Sequence, residues 1–228
     1  MPQEFSMKPI ARIHTAFPTK FGIPRQSGYV PALRGQVILE PEYRNPDALR
    51  GLEEYSHIWL VWIFSQSVRE GWSPTVRPPR LGGNQRKGVF ATRSPFRPNP
   101  IGLSSVRLES VEWNTPEGPV LHVSGVDLMD GTPILDIKPY VAFSDSHPEA
   151  ANSFSGPARE HRLQVEIPQE LWERIPEEHR EALREVLALD PRPAYQQDPE
   201  RVYGFPFAGM EIRFTVRAGV LTVREVAE

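Results

Sequence analysis

Along the first two-thirds of the chain, short stretches alternate apolar and polar residues between turns rich in proline and glycine. Such alternation puts every second side chain on one face, as in a strand with one buried side. It predicts strands at 10–14, 36–39, 57–64, 88–92, 105–111, 120–126 and 134–140. The run HIWLVWIF at 57–64 is almost wholly apolar and reads as a central strand buried on both faces. One helix is predicted over 46–55, with Asn45 as its N-cap and Pro46 in its first position. There is no regular strand–helix–strand alternation, no Gly-x-Gly-x-x-Gly and no P-loop. A doubly wound sheet with a glycine-rich nucleotide cradle is therefore not expected. The fold class is mainly β, a single barrel-like β domain.

After Pro148 the pattern changes. Residues 149–157 are small and polar and read as a linker. A strand is expected at 161–167, and a helix at 177–189 with Leu183, Val186, Leu187 and Leu189 on its apolar stripe. Pro191 and Pro193 stop that helix. Two strands at 210–216 and 220–226 form a hairpin around Ala218-Gly219. The expected organisation is a β-barrel domain over 1–148 and a small α+β C-terminal domain over 149–228.

Composition narrows the chemistry. The 228 residues include no cysteine, which removes disulfides, thiolate metal sites and thiol catalysis. No run of about twenty apolar residues is present to span a membrane, and 1–12 lacks the apolar core of a signal peptide. A cytoplasmic protein is expected. The six histidines show no ligand spacing, so no metal is expected. The formal net charge of −3 argues against general stickiness for nucleic acid. It hides an asymmetry, however. Arg69, Arg77, Arg80, Arg86, Lys87, Arg93 and Arg97 fall in one stretch whose only acid is Glu70. Such a patch either binds phosphate locally or forms a solvated loop.

Four loops concentrate unusual chemistry. Arg93-Ser94-Pro95-Phe96-Arg97-Pro98-Asn99-Pro100 is stiffened by three prolines, so its arginines are held with little entropy left to lose. Planar guanidinium groups so held suit carboxylate or phosphate. Asp127, Asp130 and Asp136 lie around the Asp130-Gly131 turn, where aspartate also commonly caps turns. Asp136 and Lys138 share one face of a strand. Phe21-Gly22-Ile23-Pro24-Arg25-Gln26 and Val76-Arg77-Pro78-Pro79-Arg80 are further rigid loops bearing arginine. Trp59, Trp62 and Phe64 suit a core. Trp72 and Phe96, in loops, suit stacking on a base.

Together the stretches FGIPRQSG, GLEEYSHIWLVWIF, VRPPRLGGNQRKGVFATRSPFRPNPIGLSSV and DLMDGTPILDIKPY resemble the TrmO (TsaA-like) family, in order and over roughly 10–145. DPRPAY at 190–195 resembles a feature of bacterial members with a C-terminal extension. The resemblance implies a barrel-like methyltransferase domain and a homodimer with S-adenosylmethionine near its interface. It also implies methylation of the exocyclic nitrogen of threonylcarbamoyl-adenosine, beside the anticodon of threonine tRNA. By matching loops, it implies cofactor contacts from Pro24, Arg25, Gln26, Ser65, Gln66, Arg93, Leu103, Asp130, Gly131, Thr132 and Pro133. Many bacterial relatives carry histidine where this chain has Ser65, so only a hydroxyl or backbone contact is expected there.

For the proton on the acceptor nitrogen, Asp136 or Tyr140 is the expected base, with Lys138 orienting a substrate carboxylate or phosphate. RNA contacts are expected from Arg77, Arg80, Arg86, Lys87 and Arg97, and from Arg192 and Tyr195 in the C-terminal domain. A non-catalytic RNA-binding regulator, a metal-dependent hydrolase built on Asp127, Asp130 and Asp136, and a methyltransferase with a small-molecule acceptor are the competing readings.

Overall fold

The computed structural model describes residues 4–78, 85–153, 162–192 and 198–227. Six strands close into an antiparallel barrel: β1 (Ala11–Thr15), β2 (Arg34–Leu39), β3 (His57–Ile63), β6 (Ile101–Glu112), β7 (Val120–Ser124) and β8 (Thr132–Pro139). Two short strands, β4 (Thr75–Val76) and β5 (Lys87–Gly88), pair in the excursion between β3 and β6. Around the barrel the order is β1, β2, β7, β6, β3, β8 and back to β1. Closure leaves the barrel no free edge.

Antiparallel alternation decides where the loops fall. The β1–β2, β3–β6 and β7–β8 connections all leave from one end of the barrel, and these are the loops that carry the unusual chemistry. Inward positions alternate as the sequence pattern requires: Ile58, Leu60 and Trp62 on β3 are buried, as are Gly102, Ser104, Val106 and Leu108 on β6.

Several expectations need correction. The 57–64 run is buried on one face only, with Trp59, Val61 and Ile63 half-buried outside. A barrel strand has one interior face, and the outer one is only partly covered. Trp59 there donates from Nε1 to Asp145 Oδ2 at 2.8 Å, in the short helix α1 (Ala142–Asp145). Over 46–55 there is no α-helix but two 3-10 turns, Pro46–Leu49 and Leu52–Glu54, parted at Gly51. Asn45 still caps the first, accepting from the Asp47 amide at 3.0 Å. The strand expected at 88–92 ends at Gly88, and Val89–Ala91 form a 3-10 turn.

The C-terminal part is a four-stranded sheet in the order β10 (Tyr203–Phe207), β11 (Met210–Arg217), β12 (Val220–Ala227), β9 (Gln164–Glu166). Helices α2 (Gln169–Arg174) and α3 (Glu177–Ala188) accompany it. Strand β10 escaped the sequence pattern because it contains Gly204 and Pro206, and Pro206 is tolerated there because β10 is an edge.

This sheet does not stand apart from the barrel. Phe17 meets Phe207 edge-on at 5.3 Å, and Phe21 meets Phe205 at 5.9 Å. The Ala208 amide donates to the Ala16 carbonyl at 2.8 Å. One apolar core runs through both parts. Gly22 has φ +87°, and a Cβ there would lie 2.7 Å from the Phe205 ring, so glycine is required twice over. The loop that continues to Pro24, Arg25 and Gln26 is thus seated on the C-terminal sheet.

Candidate functional site: a cavity at the barrel mouth and a basic groove

The loops at one end of the barrel enclose a cavity of about 490 Å³. The β1–β2 loop supplies Lys20, Ile23, Pro24, Arg25 and Gln26, and the turn after β3 supplies Ser65, Gln66 and Ser67. The proline loop supplies Thr92, Arg93 and Arg97. From the start of β6 come Gly102 and Leu103, from the β7–β8 connection Asp127 and Met129, and from the start of β8 Thr132. Arg93 donates from Nη1 to Gln26 Oε1, tying two of these loops together. The Phe64 amide donates to the Pro100 carbonyl at 2.8 Å, which fastens the Ser65 turn to the proline loop.

Of the residues carried over from the resemblance, Pro24, Arg25, Gln26, Ser65, Gln66, Arg93, Leu103 and Thr132 line the cavity. Asp130, Gly131 and Pro133 do not. Asp130 holds its turn instead: its Oδ1 accepts from the Thr15 amide at 3.0 Å and lies 3.1 Å from His14 Nδ1. The Gly131 amide donates to the Ile13 carbonyl at 2.9 Å. The turn places Met129 and Thr132, on either side of it, in the cavity wall.

Asp136, Lys138 and Tyr140 also lie outside the cavity. Asp136 sits across from Val61, which sits across from Leu103, so the three share the barrel's outer face. Two strand spacings, roughly 10 Å, separate Asp136 from the Leu103 row. Asp136 and Lys138 form an exposed ion pair at 2.8 Å, which raises the Lys138 pKa. Tyr140 packs on Trp59 at 5.5 Å. Strand pairing explains the correction: membership of one strand face says nothing about which mouth or wall that face meets.

The acid at the cavity is Asp127, in the segment that follows β7. It is half-buried, and burial pushes its pKa up from 3.8 to about 6, against hydrogen bonds that oppose the rise. Ser104 Oγ donates to Asp127 Oδ1 at 2.6 Å, and Trp62 Nε1 donates to Ser104 Oγ at 3.0 Å. The amides of Ser27 and of Asp127 itself also donate to the carboxylate, and the Arg93 charge favours its ionised form. A Cβ on Gly102 would lie 2.3 Å from the Trp62 ring, so Gly102 is the seat that lets Trp62 reach Ser104. One sequence signal pointed here: Ser104 is a polar residue at an inward position of β6.

A larger groove of about 1530 Å³ adjoins the cavity and shares Lys20, Arg25, Gln26, Thr92 and Arg93 with it. Arg69, Arg77, Arg86, Tyr29, Phe90 and Phe96 line it further out. Arg86 donates to Thr75 Oγ1 at 3.2 Å, and Arg69 lies over the Phe96 ring at 3.9 Å. Trp72 and Phe90 form a tilted, exposed pair at 6.1 Å. Among the described residues, none of Arg69, Arg77, Arg86, Arg93 and Arg97 makes an ion pair. Arg97 turns its guanidinium onto the Thr92 carbonyl at 2.8 Å, bracing its own loop. Lys87 lies in β5 and does not line the groove. Arg80 and Tyr195 lie outside the described residues. Arg192 is far from the exposed role expected of it: its Nε and Nη2 engage both oxygens of Asp190 at 2.8 and 2.9 Å, and only 13% of its side chain is exposed. No group of acids and histidines able to hold a metal occurs among the described residues. No helix among them is long and apolar enough to cross a membrane.

The family model for the tRNA-methyltransferase O N-terminal domain matches residues 12–146, and the one for the TrmO C-terminal domain matches 160–228. The chain belongs to the TrmO family. An Escherichia coli relative named tRNA (adenine(37)-N6)-methyltransferase is 44% identical over 202 residues, covering 86% of each chain. A Pyrococcus abyssi relative, named a probable S-adenosyl-L-methionine-binding protein, is 40% identical over 141 residues, 62% of this chain and 71% of its own. A crystal structure of TrmO from Pseudomonas aeruginosa superposes with a TM-score of 0.80 at 36% identity, covering 99% of each chain. The barrel, the mouth cavity and the appended sheet are therefore features of a TrmO chain.

Proposed function

We propose that the protein is an S-adenosylmethionine-dependent methyltransferase acting on N6 of adenosine 37 in tRNA, and that its acceptor is threonylcarbamoyl-adenosine beside the anticodon of threonine tRNA. The observation that carries this reading is the continuity between a cavity at the barrel mouth and a larger basic groove, through the shared residues Lys20, Arg25, Gln26, Thr92 and Arg93. A methyl donor and a large polyanion need adjacent sites of these two kinds.

The cavity's donor set fits S-adenosylmethionine. Its volume lies in the range of small-ligand sites. Ile23, Trp62, Phe64, Leu103 and Met129 offer apolar surface for a base and thioether carbons. Gln26, Ser65, Gln66 and Thr132 offer hydrogen bonds, and Arg93 and Lys20 offer partners for a carboxylate. When bound, S-adenosylmethionine supplies an electrophilic methyl on a sulfonium. The protein's residues orient donor and acceptor and exclude water, and positioning of this kind supplies much of a transfer rate. In the groove, Arg69, Arg77 and Arg86 meet phosphates, while Phe90 and Phe96, with Trp72 beside Phe90, stack on splayed loop bases. The homodimer implied by the resemblance is part of this reading.

A small-molecule acceptor leaves the groove without a task, and a non-catalytic regulator leaves the cavity without one. The test is transfer from labelled S-adenosylmethionine to total tRNA from cells able and unable to make threonylcarbamoyl-adenosine. Label only in the first pool is expected. Equal label in both would contradict the acceptor, and label in neither the activity.

A further inference from the structure

We propose that Asp127, set by a Trp62–Ser104 relay, is the general base that takes the N6 proton of the acceptor as the methyl group arrives; this rests on the functional reading above. The geometry fixes which carboxylate oxygen is involved. An indole N–H only donates, and a serine hydroxyl has a single proton. Trp62 Nε1 occupies a lone pair of Ser104 Oγ at 3.0 Å. The hydroxyl proton of Ser104 therefore points at Asp127 Oδ1, 2.6 Å away. Oδ1 is held as an acceptor by Ser104, so a proton taken up by Asp127 goes to Oδ2, on a carboxylate to which the Ser27 and Asp127 amides also donate. Asp127 contributes to the cavity wall alongside Gln26, Arg93 and Thr132, and of these Gln26 and Arg93 also line the groove.

The step balances. The N6–methyl bond forms from the nitrogen's electrons, the methyl–sulfur bond breaks and its pair stays on sulfur, and the N6 proton passes to Oδ2. Transfer neutralises the sulfonium and the carboxylate together. A urea-like nitrogen is a poor nucleophile until that proton leaves, so a base within hydrogen-bond reach accelerates the reaction. Partial burial raises the affinity of Asp127 for a proton toward that task, with a pKa of about 6. The charged groups facing this region are Lys20 and Arg25 on the β1–β2 loop and Arg93 and Arg97 on the proline loop, all cations. Asp130, on the segment of Asp127 itself, is engaged with Thr15 and His14. Ser104 and Trp62 are positioning residues in this scheme.

The test compares wild type, Asp127→Asn and Ser104→Ala by single-turnover transfer to tRNA across pH, with calorimetric S-adenosylmethionine binding and carbon NMR of labelled aspartate carboxyls. Asp127→Asn is expected to lower the transfer rate at pH 7.5 by roughly 100-fold or more, with cofactor affinity within about threefold. Ser104→Ala is expected to keep the high-pH plateau but move the acid limb upward, because the lost hydrogen bond favoured the ionised carboxylate. The NMR titration, which needs no turnover, should show a carboxyl near 6 that moves up in Ser104→Ala. An Asp127→Asn protein that transfers at the wild-type rate overturns the proposal alone, as does one that only loses cofactor affinity. A wild type that methylates no tRNA overturns the functional reading beneath it.

Discussion

The arginines of the barrel mouth and those of the C-terminal part differ in whether carboxylates pair with them. In the C-terminal part, Arg192 clasps Asp190, Arg213 meets Glu225 at 3.1 Å, and Arg174 and Arg180 donate to the Val226 and Ile175 carbonyls. Arg184 lies over Trp172 at 4.6 Å. Arg192 and Arg213 thus pair their charges with carboxylates, which none of Arg69, Arg77, Arg86, Arg93 and Arg97 does among the described residues. At the mouth, Arg69, Arg77, Arg86 and Arg93 lie along a stretch that holds one acid, and Arg69, Arg86 and Arg93 are positioned by neutral partners: a phenyl ring, a threonine hydroxyl, a glutamine amide. Neutral partners fix direction without cancelling charge. The contrast teaches that a protein of net negative charge can still present a local anion site, and that pairing, more than arginine content, marks where it is.

The two regions are nevertheless joined through Phe205 and Gly22, and this gives the largest expected effect. Phe205→Ala should destabilise the protein by about 3–5 kcal/mol and also weaken S-adenosylmethionine binding, because the Pro24–Gln26 loop rests on that ring. Denaturant unfolding and calorimetry read the two effects. Loss of stability with cofactor affinity intact would show the sheet to be independent of the site.

Next in size is the strain at the relay. Gly102→Ala drives a methyl into the Trp62 ring and should cost about 1–3 kcal/mol while separating Trp62 from Ser104. Asp127→Asn should act in the other direction. A carboxyl raised from 3.8 to about 6 binds its proton more tightly when folded, so between those values stability falls as pH rises, and above about 6 the full cost is present. The variant should therefore gain on the order of 1–3 kcal/mol at pH 7.5 and lose that advantage toward pH 4, seen by unfolding across pH. Equal gains at both pH values would contradict the assigned cause.

The smallest effect divides the arginines directly. Arg86→Ala should reduce the salt dependence of tRNA affinity by roughly 0.7–0.9 in the logarithmic slope, the signature of one lost phosphate contact. Arg192→Ala should leave that slope alone and cost about 1–3 kcal/mol of stability, since it breaks a mostly buried ion pair. Identical slopes for the two would erase the distinction.

Much of the barrel was legible because one buried face imposes a period of two, and β1, β2, β3 and β6 carry it plainly. The 46–55 segment misled because its helical composition is interrupted by Gly51 at φ +83°, which only the backbone conformation reveals. The site loops were legible from their prolines and arginines. Asp127 was not singled out over Asp136, because burial and register arise from pairing between strands far apart in sequence. Asp136 and Lys138 look like a reactive pair along the chain, yet β8 turns both to the outer face.

The central claim concerns a methyl group moving from the cavity to one nucleoside in the groove. It is tested most directly by treating tRNA with the protein and deuterium-labelled S-adenosylmethionine, then digesting to nucleosides for mass spectrometry. The expected result is a labelled methyl on threonylcarbamoyl-adenosine and on no other nucleoside. A labelled methyl on a different nucleoside, or unlabelled tRNA beside a labelled small molecule, would contradict the account.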